Sequence, residues 1–179
     1  MKKLLVLLVI LGIGAGIVLY KPEPTFTPPQ APKVTYNQDP TLLNYAHQLG
    51  IDVSKLNLVY TNDFSNVTLI DKTLTRGSFS QPNTIYVKPG TGDEMRVLAH
   101  EYMHYVWYNM SLEQNKSASS MIRPVFSKFS YMLKNYPQDQ DTLDNESNSY
   151  ICTSISPYQL SVEINNYCNS YISNRNLLF

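Results

Sequence analysis

Six prolines fall between residues 21 and 40, in the stretch KPEPTFTPPQAPKVTYNQDP, and they partition everything else in the chain. Each fixes its own φ and lacks an N–H, so the stretch favours extended polyproline II and excludes a stable helix. Residues 21–38 therefore read as a semi-rigid linker. An ordered arm, packed on the domain through Phe26 and Tyr36, is the other reading. Before the linker, Lys2 and Lys3 precede an uncharged apolar run over residues 4–20. That run is longer than a usual signal h-region and close to the lower limit for a spanning helix. Residues 1–20 are expected to form an N-terminal signal anchor, a single transmembrane helix. A cleaved signal peptide is the alternative. Lysines on the short side keep the N-terminus cytoplasmic and export the rest, either anchored at the cell membrane or secreted. Residues 39–179 are then left to fold as one modest domain.

Within that domain the pattern changes from strands to helices. Asp39-Pro40 is a good N-cap with proline at the first helical position, followed by an apolar pattern that stops at Gly50. Strand-like runs follow at 56–60, 67–70 and 84–87, separated by Asn, Asp, Gly and Ser. Residues 89–93 read as a turn that ends in a cap. Residues 93–109 then contain no proline or glycine and read as a helix. One or two helices are expected over 112–135, interrupted at Pro124. Another is expected over 142–153, capped at Asp141, and a last one from Pro157 to about residue 172. This order predicts an α+β fold, with a small N-terminal mixed sheet and a helical C-terminal part. The formal net charge is zero, so no basic surface argues for a nucleic-acid partner.

The chemistry concentrates in His100-Glu101-Tyr102-Met103-His104. On a helix, positions i and i+4 share a face, so two imidazoles can reach one ion. Glu101 lies beside the first of them, placed to accept a proton from water activated by the metal. The flanks Val97-Leu98-Ala99 and Tyr105-Val106 carry no charge, proline or glycine, as a helix under a cleft requires. Residues 97–106 resemble the extended zinc-binding consensus of the zincin metallopeptidases. The resemblance implies a zincin-like domain, a zinc ion (Zn2+) and hydrolysis of a protein or peptide substrate.

Catalytic zinc usually takes three protein ligands and a water. The metzincin pattern of a glycine and a further ligand after the second histidine fails, since Trp107 and Met110 occupy those positions. The remaining histidine, His47, lies upstream of the sheet, whereas zincins take the third ligand downstream. A carboxylate is therefore expected, as in the gluzincin branch. Glu146, in the first half of a later predicted helix, is favoured, with Asp144 and Glu163 as alternatives. Tyr150, one turn beyond Glu146, is a candidate donor to a developing oxyanion, alongside Tyr158 and Arg123. In a chain with 14 tyrosines each phenol also has an ordinary packing role open to it. Zincins pair an extended substrate with an edge strand, and residues 84–88 are a candidate for that strand, an interior place in the sheet being the other reading.

Cys152 and Cys168 flank Ser156-Pro157, and a helical hairpin turning there predicts a disulfide in an exported domain. Sequons at Asn66, Asn109, Asn115 and Asn145 are unremarkable in so Asn- and Ser-rich a chain. The expected function is a membrane-anchored extracytoplasmic zinc metallopeptidase. A zincin-shaped binding module without catalysis and a zinc hydrolase of cell-wall peptide amides are the alternatives.

Overall fold

The computed structural model describes residues 36–65, 75–134 and 136–179. The expected anchor, most of the expected linker and the expected strand at 67–70 lie outside them. Among the described residues no helix is long and apolar enough to cross a membrane. These residues form an α+β fold with a small mixed sheet and five α-helices.

Helix α1 (Pro40–Leu49) starts as expected. The Asp39 carboxylate accepts the amides of Thr41 and Leu42 at 2.8 and 3.2 Å, and Pro40 occupies the first turn. The helix stops at Gly50, whose φ of 65° is left-handed and suits glycine. Leu42, Ala46 and Leu49 form its buried face.

Three strands follow, β1 (Asn57–Tyr60), β2 (Gly77–Ser80) and β3 (Thr84–Val87). Their order is β1-β3-β2, with β1 parallel and β2 antiparallel to β3. Residues 37–39 continue the sheet beyond β1, through Leu58 N to Asn37 O at 2.8 Å and Asp39 N to Leu58 O at 3.0 Å. The expected edge position of residues 84–88 is thus corrected: β3 is the central strand, with β1 and β2 on either side. The outer strand is β2, which the sequence does not announce. Gly-Ser-Phe-Ser has turn composition and becomes a strand by pairing with β3. Lys88 N donates to Arg76 O, so residues 76, 78 and 80 share the ladder and the peptide groups of Gly77 and Phe79 point to the outer edge.

Helix α2 (Glu94–Asn109) carries the histidine motif and packs against the sheet. Asp93 sits at its N-cap without capping it. That carboxylate binds Arg76 at 2.5 Å, while Glu94 accepts the loop amides of Gly90 and Thr91. Helix α3 (Leu112–Phe126) opens with a reciprocal cap between Ser111 and Gln114. Pro124 lies inside its last turn rather than breaking it, and the chain continues as a 3-10 helix, Ser127–Leu133. Helix α4 (Gln140–Ser154) starts two residues earlier than expected. Asp139, not Asp141, is the cap, accepting Thr142 N at 2.9 Å. The expected final helix is divided, into a 3-10 turn at Pro157–Gln159 and α5 (Val162–Asn169), capped by Ser161.

Helix α4 packs against both α2 and α3 through small polar residues. Ser147, Ser149 and Thr153 return their hydroxyls to the carbonyls of Leu143, Asn145 and Ser149, so each buried hydroxyl is satisfied within its own helix. Small side chains let the two helix backbones approach. The Cys152–Cys168 disulfide joins α4 to α5, as expected from their spacing. Arg175, 1 % exposed, crosses under the end of α4 and donates to the carbonyls of Ile151, Cys152 and Ile155. Two of these are terminal helix carbonyls that have no partner within α4.

Candidate metal centre

The face that α2 turns toward α4 carries His100 and His104. Their Nε2 atoms lie 3.2 Å apart, with the rings at 83°. Glu146 projects from α4 between them: Oε2 is 3.4 Å from His100 Nε2 and Oε1 is 3.5 Å from His104 Nε2. The three side chains are only 15, 11 and 14 % exposed. Among the described residues they form the one group of His, Cys, Asp or Glu able to hold a metal ion.

The donors fit zinc. Two nitrogens and a carboxylate oxygen are a catalytic zinc set, and tetrahedral bonds of about 2.0–2.1 Å put neighbouring donors about 3.3 Å apart. The observed separations of 3.2, 3.4 and 3.5 Å match that spacing. Glu146 Oε2 is buried and makes no hydrogen bond, which leaves a lone pair for an ion.

Neighbours orient these donors. Asn145 Oδ1 lies 2.9 Å from His104 Nδ1, and Ser149 Oγ lies 3.2 Å from the same nitrogen. An amide oxygen only accepts, so the Asn145 contact puts the His104 proton on Nδ1 and leaves Nε2 bare. Tyr150 packs its ring on His100, with centroids 4.7 Å apart. Its hydroxyl lies 3.0 Å from that of Tyr136. The Tyr136 hydroxyl also bears on Glu146 and favours the charged carboxylate.

Burial opposes charge throughout. For Glu146, burial raises the carboxyl, but His100, His104 and Tyr136 outweigh it and hold it below its usual range. For His100, burial is outweighed by the Glu146 and Glu101 carboxylates, which raise the imidazole. Glu101 goes the other way. Its burial wins over both imidazoles and lifts the carboxyl above its usual value. The Phe79 backbone N–H bears on the same carboxylate from β2 and favours its charge.

The other candidates lie elsewhere. Asp144 faces α3, where Arg123 holds both its oxygens at 3.0 and 2.6 Å and Ser119 and Gln140 add bonds at 2.8 and 2.7 Å. Arg123 is thereby engaged as well. Glu163 is exposed in the first turn of α5, Tyr158 is 99 % exposed, and His47 is exposed on α1. Tyr150 is at the site, but its hydroxyl is committed to Tyr136. Sequence reasoning missed Tyr136, which lies between the 3-10 helix and α4 with nothing local to separate it from the other tyrosines. No protein-family model matches this chain, and neither does any curated protein or solved structure.

Proposed function

We propose that this protein is a zinc metallopeptidase of the gluzincin type, hydrolysing peptide bonds at the His100, His104 and Glu146 site between α2 and α4. One observation carries the reading: His100 Nε2, His104 Nε2 and the Glu146 carboxylate converge at zinc-ligand spacing from two separate helices. Zinc held by these three groups would supply Lewis acidity, acidifying water and polarising the scissile carbonyl. Glu101 serves as the general base. Its carboxyl is raised by burial, which makes it a better acceptor of the water proton. The outer strand β2, with an outward peptide group at Gly77, offers an extended substrate an edge to pair with. Tyr136 and Tyr150 hold Glu146 and His100, and a shift of either phenol toward a substrate oxygen would make it an oxyanion donor. The buried disulfide supports an oxidising, extracytoplasmic setting, in keeping with the expected N-terminal anchor.

The test is Glu101→Gln in the full chain. It should bind one zinc per chain as the parent does while losing hydrolysis of a quenched-fluorescence peptide library. A parent protein that binds no zinc, or a variant as active as the parent, refutes the assignment.

A further inference from the structure

Gly77 is a costly residue for a packed strand, since glycine offers no side chain and loses the most backbone freedom on folding. No left-handed φ requires it: the positive-φ glycines among the described residues are Gly50, Gly90 and Gly92. It is not a turn residue either, because it pairs in register with Val87. Close approach remains. A Cβ added at Gly77 would overlap Val97 Cγ1 on α2 and would stand 3.1 Å from both Glu101 Cγ and Tyr86 O. Strand β2 therefore lies against α2 at the residue read above as the general base. Phe79, two positions on, presents its N–H to the Glu101 carboxylate and its ring to Tyr105 and Tyr108, both with centroids at 6.0 Å. The strand thus tracks one face of α2 through residues 97, 101, 105 and 108.

We propose that Gly77 is a positioning residue for Glu101. The missing side chain sets the gap between β2 and α2, and that gap keeps the Phe79 N–H against the Glu101 carboxylate, which holds the side chain beside the metal ligands. The catalytic half of this inference rests on Glu101 being the base; the geometric half does not. Glu101, His100 and His104 share α2, so a wider gap leaves their backbones together; it withdraws the Phe79 N–H and frees the Glu101 side chain, while His100 and His104 keep their partners on α4.

The experiment compares Gly77→Ala, Val97→Ala and the double variant in the full chain. Gly77→Ala should keep zinc affinity and KM near the parent values and lower kcat about 100-fold, the usual effect of a misplacement near 1 Å. Val97→Ala removes the overlapping methyl, so the double variant should recover most of that kcat. An unchanged kcat in Gly77→Ala, a parallel loss of zinc affinity, or no recovery in the double variant overturns the proposal. Crystal structures of the three variants give a readout independent of turnover. Glu101 should move relative to His104 by more than about 0.5 Å in Gly77→Ala and return in the double variant. If the parent binds zinc but cleaves nothing, the peptidase reading fails, and this displacement alone decides the inference. If Gly77→Ala does not fold, a folded double variant with Glu101 in its parent position supports the proposal, and an unfolded one overturns it.

Discussion

Shortening Glu146 by one methylene, Glu146→Asp, is the sharpest test of the third ligand because it keeps the charge and moves only its position. The α4 backbone is held by the Cys152–Cys168 bridge and by Arg175 on its terminal carbonyls. The helix is therefore poorly free to advance toward α2. The carboxylate retreats by one carbon–carbon bond, about 1.5 Å. A donor that stood about 2 Å from the ion then stands beyond about 3 Å, outside any zinc–oxygen bond. Four-ligand zinc sites bind with about 10–16 kcal/mol, so one ligand carries about 2.5–4 kcal/mol. That corresponds to a zinc Kd weaker by about 100- to 1,000-fold.

The assay is competition with a chromophoric zinc chelator at fixed pH and ionic strength, with urea unfolding of the metal-free proteins to show that the fold persists. Asp144→Asn is the comparison, since Asp144 is the alternative ligand but gives both oxygens to Arg123. It should leave the zinc Kd unchanged. A Glu146→Asp variant that binds zinc as tightly as the parent refutes the ligand assignment, and so does an equal loss in Asp144→Asn.

Tyr136→Phe removes the hydroxyl that bonds Tyr150 and favours the Glu146 charge, and should weaken zinc about 10- to 100-fold by the same chelator competition, while Tyr131→Phe, at an exposed phenol, has no effect. Arg175→Met keeps the buried stem but strips donors from the carbonyls of Ile151, Cys152 and Ile155, and should cost about 3–5 kcal/mol in urea unfolding with the disulfide intact. Asp144 sets an acid limb. Burial pushes its carboxyl up, but Arg123, Ser119 and Gln140 outweigh it and hold it below the ordinary value of 3.8. Its stabilisation is therefore complete above that value and lost as pH falls through the lower folded-state value, and Asp144→Asn should flatten the urea midpoint against pH over that acid range.

The residues that sequence identifies and those it misses differ in a physical way. His100 and His104 were legible because helical pitch alone brings positions i and i+4 to one face, and no distant contact is needed to know it. Glu146 was legible by a weaker route, from the shortage of other histidines and the order of elements along the chain. The start of α4 fell on Asp139 instead of Asp141 because both are good caps and only the placement of Thr142 N separates them. The position of β3 could not be read locally at all. Its four residues suit a strand, but whether it is central depends on β1 and β2 joining it from opposite sides. Gly77 and Tyr136 belong to this second kind. Gly77 sits in a segment of turn composition, and its meaning is the distance to a helix that begins 17 residues later. Tyr136 is one of 14 tyrosines, and its meaning is a hydroxyl that bonds Tyr150 beside the ligands from a connection between helices. Donors to a metal announce themselves by chemistry and spacing, whereas the groups that hold those donors act through packing between elements. For this reason the variant that best separates a working centre from a merely assembled one is Gly77→Ala, at a residue with no ligand chemistry assigned to it, whereas Tyr136→Phe tests the assembly itself.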